Sequence, residues 1–143
     1  MGYIRFDKTL MTNLEESLPR EILRTNRSGA YHCSTIVDCN TRKYHGLFVM
    51  PIEEFGGVNH ILLSSVDETL IQHEKEFNLG IRSYGKIYEP RGHKYIVDFQ
   101  FDKECTIEYR VGGMIFRKSM IFVKGKEQLL IKYTLVQAHS ETY

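Results

Sequence analysis

The feature that most constrains this chain is a run of alternating residues broken by an adjacent glycine pair, Gly112-Gly113. Before the pair, Ile107, Tyr109 and Val111 alternate with Thr106, Glu108 and Arg110. A period of two places one set on a buried face and the other towards solvent, as in a half-buried β-strand. Two glycines between such segments mark a tight hairpin, because both turn positions require positive φ. Met114 to Val123 then reads as the returning strand, Lys124-Gly125-Lys126 as a second tight turn and Gln128 to Val136 as the next strand. Upstream, Tyr95, Val97, Phe99 and Phe101 alternate with Lys94, Asp98 and Gln100, and Asp102-Lys103-Glu104 supplies a turn. The pattern predicts an antiparallel meander and an all-β, antiparallel β-sandwich.

The N-terminal half carries weaker signals. Thr12 or Asn13 is placed to cap a short helix over Leu14 to Leu18, limited by Pro19. Ala30 to Val37 and Leu47 to Met50 read as strands on either side of the polar loop Asp38 to Lys43. Pro51 to Gly57 reads as a loop, His60 to Ser65 and Thr69 to His73 as two further strands, and Tyr84 to His93 as a longer connection. The 143 residues contain no internal repeat, low-complexity tract or linker, so a single domain over 1–143 is expected. The chain stops directly after a strand, the ending expected of a domain cut at its C-terminal side within a larger protein.

Composition removes several classes of function. A net charge of +1 offers no electrostatic attraction to nucleic acid or an anionic membrane. No segment approaches the roughly 18 consecutive apolar residues of a membrane span. Arg5, Asp7 and Lys8 occupy the place where a signal peptide carries its apolar stretch. The three cysteines Cys33, Cys39 and Cys105 form no zinc-like pair, and read as buried thiols of a reducing cytoplasm. No metal site and no cofactor is implied.

The residues that could carry chemistry are few. Glycoside hydrolysis uses two carboxyl groups, about 5–5.5 Å apart for retention or about 6.5–9.5 Å for inversion. Asp67-Glu68 is the obvious pair, but neighbours in a strand point to opposite faces, and a structural acidic turn is the simpler reading. Glu74 and Glu76 on one strand face would stand roughly 6.6 Å apart, within an all-polar run typical of a solvated turn. The segment Asn40-Thr41-Arg42-Lys43-Tyr44-His45-Gly46-Leu47 stands out instead. Its amide, cations, phenol and imidazole can bond sugar hydroxyls or a carboxylate, or else serve a structural polar loop.

Taken with Thr25-Asn26-Arg27-Ser28-Gly29-Ala30-Tyr31, that segment resembles the start of bacterial and archaeal glycogen debranching enzymes, whose pattern runs T-N-G-x-G-G-Y and then N-T-R-[RK]-Y-H-G-L. Val66-Asp67-Glu68-Thr69 and Tyr109-Arg110-Val111-Gly112-Gly113 are similar to two further motifs of that family, in the same order. The similarity spans about Glu21 to His139. Ile22 stands where the family usually has Trp, and Arg27, Ala30 and Asp38 stand where it has glycine.

The resemblance implies an N-terminal β-supersandwich, similar to that of bacterial glucoamylases, followed by a helical (α/α)6 barrel. In that family the barrel carries amylo-α-1,6-glucosidase activity, the hydrolysis of branch points in glycogen. The chain would then be a non-catalytic domain, inactive alone, with Asn40, Arg42, Tyr44 and His45 facing the barrel or its glucan. A self-standing carbohydrate-binding β-sandwich is the alternative, with Tyr84, Tyr88 or Tyr95 taking the role of the tryptophans that such modules favour. An enzyme complete in itself would rely on Asp67 or Glu68. A cut sandwich also exposes strand edges through which two copies could pair as a homodimer.

Overall fold

Gly112 and Gly113 hold φ of 57° and 80°, so the chain reverses in two residues and Val111 pairs with Met114. A computed structural model of the protein describes residues 3–143. In chain order it contains β1 (Ile4–Asp7), the short helices α1 (Lys8–Thr12) and α2 (Leu14–Ser17), β2 (Glu21–Thr25), β3 (Tyr31–Thr35), β4 (Gly46–Ile52) and β5 (Val58–Leu63). There follow β6 (Thr69–Gln72), β7 (Lys75–Asn78), β8 (Ile81–Tyr84), β9 (Ile87–Arg91), β10 (Ile96–Phe101), β11 (Cys105–Val111), β12 (Met114–Phe122) and β13 (Leu129–Gln137).

The architecture is an all-β antiparallel sandwich. One layer is a five-stranded sheet in the order β1-β10-β11-β12-β13, and the other a four-stranded sheet in the order β2-β3-β4-β5. Two small hairpins, β6-β7 and β8-β9, complete it. Ile22 and Leu47 from the smaller layer, with Ile36 and Val37 from the turn after β3, share one core with Phe99, Ile107, Tyr109, Val111 and Phe116 from the larger. Burying such side chains stabilises by about 1.5–3 kcal/mol each before entropy is set against it. The alternation read in Thr106 to Val111 is visible directly, with Ile107, Tyr109 and Val111 buried.

Several elements depart from the sequence reading. The strand expected from Lys94 starts at Ile96, after a 3-10 turn at Gly92–Tyr95. A register irregularity between Ile96 and Asp98 shifts the phase, so Ile96 and Phe99 are buried while Val97 and Phe101 are only half-buried. The expected connection Tyr84 to His93 is mostly the hairpin β8-β9, turning at Gly85 (φ 73°). Pro90 is tolerated there because β9 has a free edge that needs no N–H donor. Likewise β4 runs on through Pro51 to Ile52. Glu74 lies at φ 62° in the β6-β7 turn, so it shares no strand face with Glu76.

Beyond the expected elements, β1 and α1 precede the α2 helix, whose Asn13 cap accepts the Glu15 N–H at 3.1 Å. Among the described residues no helix is long and apolar enough to cross a membrane. Edge strand β5 carries no charged residue, and Val58, Ile61, Leu62 and Leu63 are exposed.

Candidate functional site

The loop between β3 and β4 owes its shape to two bonds that close on β2. Arg42 Nε and Nη2 donate to Glu21 Oε1 and Oε2, each at 2.7 Å. This is the two-pronged geometry that guanidinium and carboxylate favour. His45 Nε2 lies 3.0 Å from Glu21 Oε1, and the Thr41 backbone N–H points at His45 Nδ1 at 3.1 Å. An N–H can donate only to an unprotonated nitrogen, so the His45 proton sits on Nε2 and is donated to Glu21. The imidazole is buried, whereas Arg42 is largely open to solvent. The Arg42 bond, aided by the guanidinium charge and the His45 hydrogen bond and opposed by burial, holds the Glu21 carboxyl below its usual range. Glu21 in turn raises Arg42 further above its ordinary value.

These bonds hold the rim of an open groove of about 520 Å³ on the outer face of β2 and β3. Leu23, Tyr31 and Cys33 line it, with Arg27, Arg42 and Tyr44 around them. Tyr44 stands at φ 72° and Arg27 at φ 70°. A bulky side chain in the left-handed region is strained, and such residues concentrate at ligand clamps and binding sites. Tyr44 is fixed there by the Tyr31 hydroxyl, which donates to its carbonyl at 3.2 Å, and Lys43 Nζ lies 5.4 Å from its ring centre. Leu23, an apolar side chain 60% exposed at the middle of β2, is the floor.

Glu21, Cys33 and His45 bring one ligand atom each within 4.8 Å of one another, a juxtaposition absent from the linear spacing. Their bonding opposes a metal. A cation on His45 Nε2 would displace the proton to Nδ1, against the Thr41 N–H, and Arg42 already holds both oxygens of Glu21. Burial also raises the Cys33 thiol above its ordinary value, away from the thiolate that metals require. The cluster is an ion pair with a histidine brace.

Of the segment singled out in the sequence, Arg42, Tyr44 and His45 belong together, but Asn40 does not join them. Its Oδ1 accepts from Ser34 Oγ at 2.8 Å, and its Nδ2 donates to the Ser64 carbonyl at 2.9 Å. Glu21 was not singled out by its sequence context; the signal available was an acidic residue opening the region of family similarity, opposite in charge to Arg42.

Asp67 and Glu68 point to different partners. Asp67 Oδ2 accepts from Arg82 Nε at 2.7 Å. Glu68 Oε1 lies 2.8 Å from Lys118 Nζ and accepts the Tyr133 hydroxyl at 2.8 Å. Lys118, 1% exposed, also bonds Asp38 Oδ2 at 2.8 Å, so one buried ammonium joins β12 to the loop after β3 and to the turn before β6. Asp38 stands at φ 61° and Arg27 at φ 70°, which accounts for glycine at both positions in the family pattern.

No curated protein and no solved structure matches the chain at a significant level. The family model described as glycogen debranching enzyme N terminal matches residues 20–143, from the residue before Glu21 through the whole of the sandwich that follows, and the chain belongs to that family.

Proposed function

We propose that this chain is a non-catalytic part of a glycogen debranching enzyme, and that its Arg42-Tyr44 groove seats the catalytic (α/α)6 barrel of the same polypeptide. The parent reaction on this reading is hydrolysis of α-1,6-glucosidic branch points. One observation carries the assignment of the groove: two strained side chains and an ion-paired arginine surround an apolar floor that the sandwich itself leaves open. Tyrosine and arginine around an apolar centre are the residue types that dominate interface energetics. His45 and Glu21 are support, holding Arg42 in place before any partner arrives.

The experiment compares Arg42→Ala and Leu23→Asp in a chain carrying the barrel, with thermal stability and glucose release from a branched limit dextrin as readouts. Leu23 is solvent-exposed in this chain, so Leu23→Asp should leave the sandwich folded while loosening the barrel and lowering glucose release. If both variants keep wild-type stability and kinetics, the groove does not face the barrel.

A further inference from the structure

A second, smaller cavity lies away from the groove, where the loop after β3, the end of β5 and the β8-β9 hairpin meet. Its volume is about 160 Å³, roughly the share of liquid taken by five waters. That is space for one small ring and not for an extended chain. Its lining is mostly polar: Asp38, Asn40, Ser64 and Ser65 on one side, Arg82, Ser83 and Tyr84 with the apolar Ile81 on the other.

Each wall is fixed by bonds already made. Asp38 is held by Lys118, and Asn40 is held between Ser34 and Ser64. The Ser64 carbonyl also accepts from the Leu47 N–H at 3.1 Å. The hairpin is locked by Arg82 on Asp67 and by Gly80, where a Cβ would stand 2.7 Å from Asp67 Oδ1. A side chain at position 80 would have to push the Asp67 carboxylate aside. The cavity therefore needs no rearrangement to receive a ligand.

Arg82 is paired with Asp67, and Asp38 shares the buried Lys118 with Glu68, so the lining offers no uncommitted cation. What remains for a ligand is a set of hydroxyls, the outer N–H groups of Arg82 and an aromatic ring. Among the described residues the hydroxyls of Ser65 and Ser83 are committed to no side-chain bond. Tyr84, at the tip of the hairpin, is 64% exposed beside the mouth, and its cross-strand neighbour Ile87 is exposed as well. An anionic ligand would find no free counter-charge here, and an apolar one would leave the polar lining unsatisfied. A ring with one apolar face and many hydroxyls meets both halves of the site.

We propose that this cavity binds a single neutral hexopyranose ring, with Tyr84 against the ring face and Ser65, Ser83 and Arg82 on its hydroxyls. The reading of the parent enzyme supplies only the choice of sugar, an α-linked glucose at a chain end.

The test is titration of the full chain with methyl α-D-glucopyranoside and with maltotriose, followed by amide chemical shifts, with sorbitol as an open-chain polyol control. The expected result is saturable binding of both sugars, shifts clustered at Ser65 and Ser83, and no saturation with sorbitol. Tyr84→Ala should weaken binding about tenfold, the equivalent of one good stacking contact, and Ser83→Val should weaken it independently. Absence of saturation, an equal response to sorbitol, or binding kept in both variants overturns the proposal. So does binding lost in Tyr44→Ala and kept in Tyr84→Ala, which would move the sugar to the groove. Failure of the debranching assignment would show separately, as absence of glucose release by a chain carrying the barrel.

Discussion

His45 and Glu21 are held 3.0 Å apart with the proton on the histidine side, because the Thr41 N–H occupies the other ring nitrogen. The pair thus supports Arg42 without needing a charged imidazole. Its pH dependence comes from Glu21, whose folded value is lowered chiefly by the Arg42 bond.

Glu21→Gln should cost about 1 kcal/mol at neutral pH, the scale of an exposed two-pronged pair with one added hydrogen bond. A lowered carboxyl contributes its stability above the unfolded value near 4.5 and loses it as pH falls through the folded value. Urea unfolding at pH 7 and at about pH 3 should therefore show wild type and variant separated at the first and converging at the second. An unchanged gap would place the effect elsewhere than in the carboxylate.

Arg27 and Asp38 share a backbone conformation but not a fate on substitution. Arg27→Gly should stabilise by up to about 1 kcal/mol through relief of the left-handed strain, less the extra freedom glycine gives the unfolded chain. Asp38→Gly relieves the same strain but strips a carboxylate from the buried Lys118, and should destabilise by about 3 kcal/mol. Thermal melts of the two variants should move in opposite directions.

Lys118→Met leaves Asp38 and Glu68 facing each other's charge without an ammonium between them. The expected loss is about 3–5 kcal/mol. Adding Asp38→Asn and Glu68→Gln to Lys118→Met should recover much of it, since the uncompensated charges then disappear. Denaturant unfolding of the single and triple variants measures the difference, and a triple variant no better than the single would show that packing, not charge, sets the cost.

Burial pushes His93 down to about 4, with Arg91 and Lys94 adding to the effect. A histidine that folds neutral gives its full stability above its unfolded value of about 6.5 and loses it as pH falls towards 4. The chain should lose on the order of 3 kcal/mol across that window, visible as a falling urea midpoint between pH 7 and pH 4. His93→Leu should flatten that slope whatever it does to the stability at pH 7.

Where one face of a strand meets the core and the other meets water, the sequence announced it. The strand read from alternation over Thr106 to Val111 and the returning strand read over Met114 to Val123 are observed at Cys105–Val111 and Met114–Phe122, joined by two glycines at positive φ. Strand β10 was legible in its end at Phe101 but not in its start or its phase, because a register irregularity is set by its partner strand and leaves no local mark. The β8-β9 hairpin was hidden by Pro90 and by a two-stranded ladder with little core to bury. At the site, Arg42, Tyr44 and His45 could be named from the polar run and the family resemblance. Glu21 could not, because its role is fixed by the pairing of β2 with β3. Asn40 was grouped with its sequence neighbours, yet its side chain serves Ser34 and Ser64.

Strand β1 pairs residue for residue with β10, Ile4 against Phe101 and Asp7 against Asp98, although it lies outside the stretch that matches the family. During synthesis its partner is made roughly a hundred residues later, so this edge of the larger sheet waits for β10 to emerge. Closing so long a loop makes this pairing a slow, late step relative to the hairpin at Gly112-Gly113. Among the described strands, the earliest in the chain should be among the last to find its place.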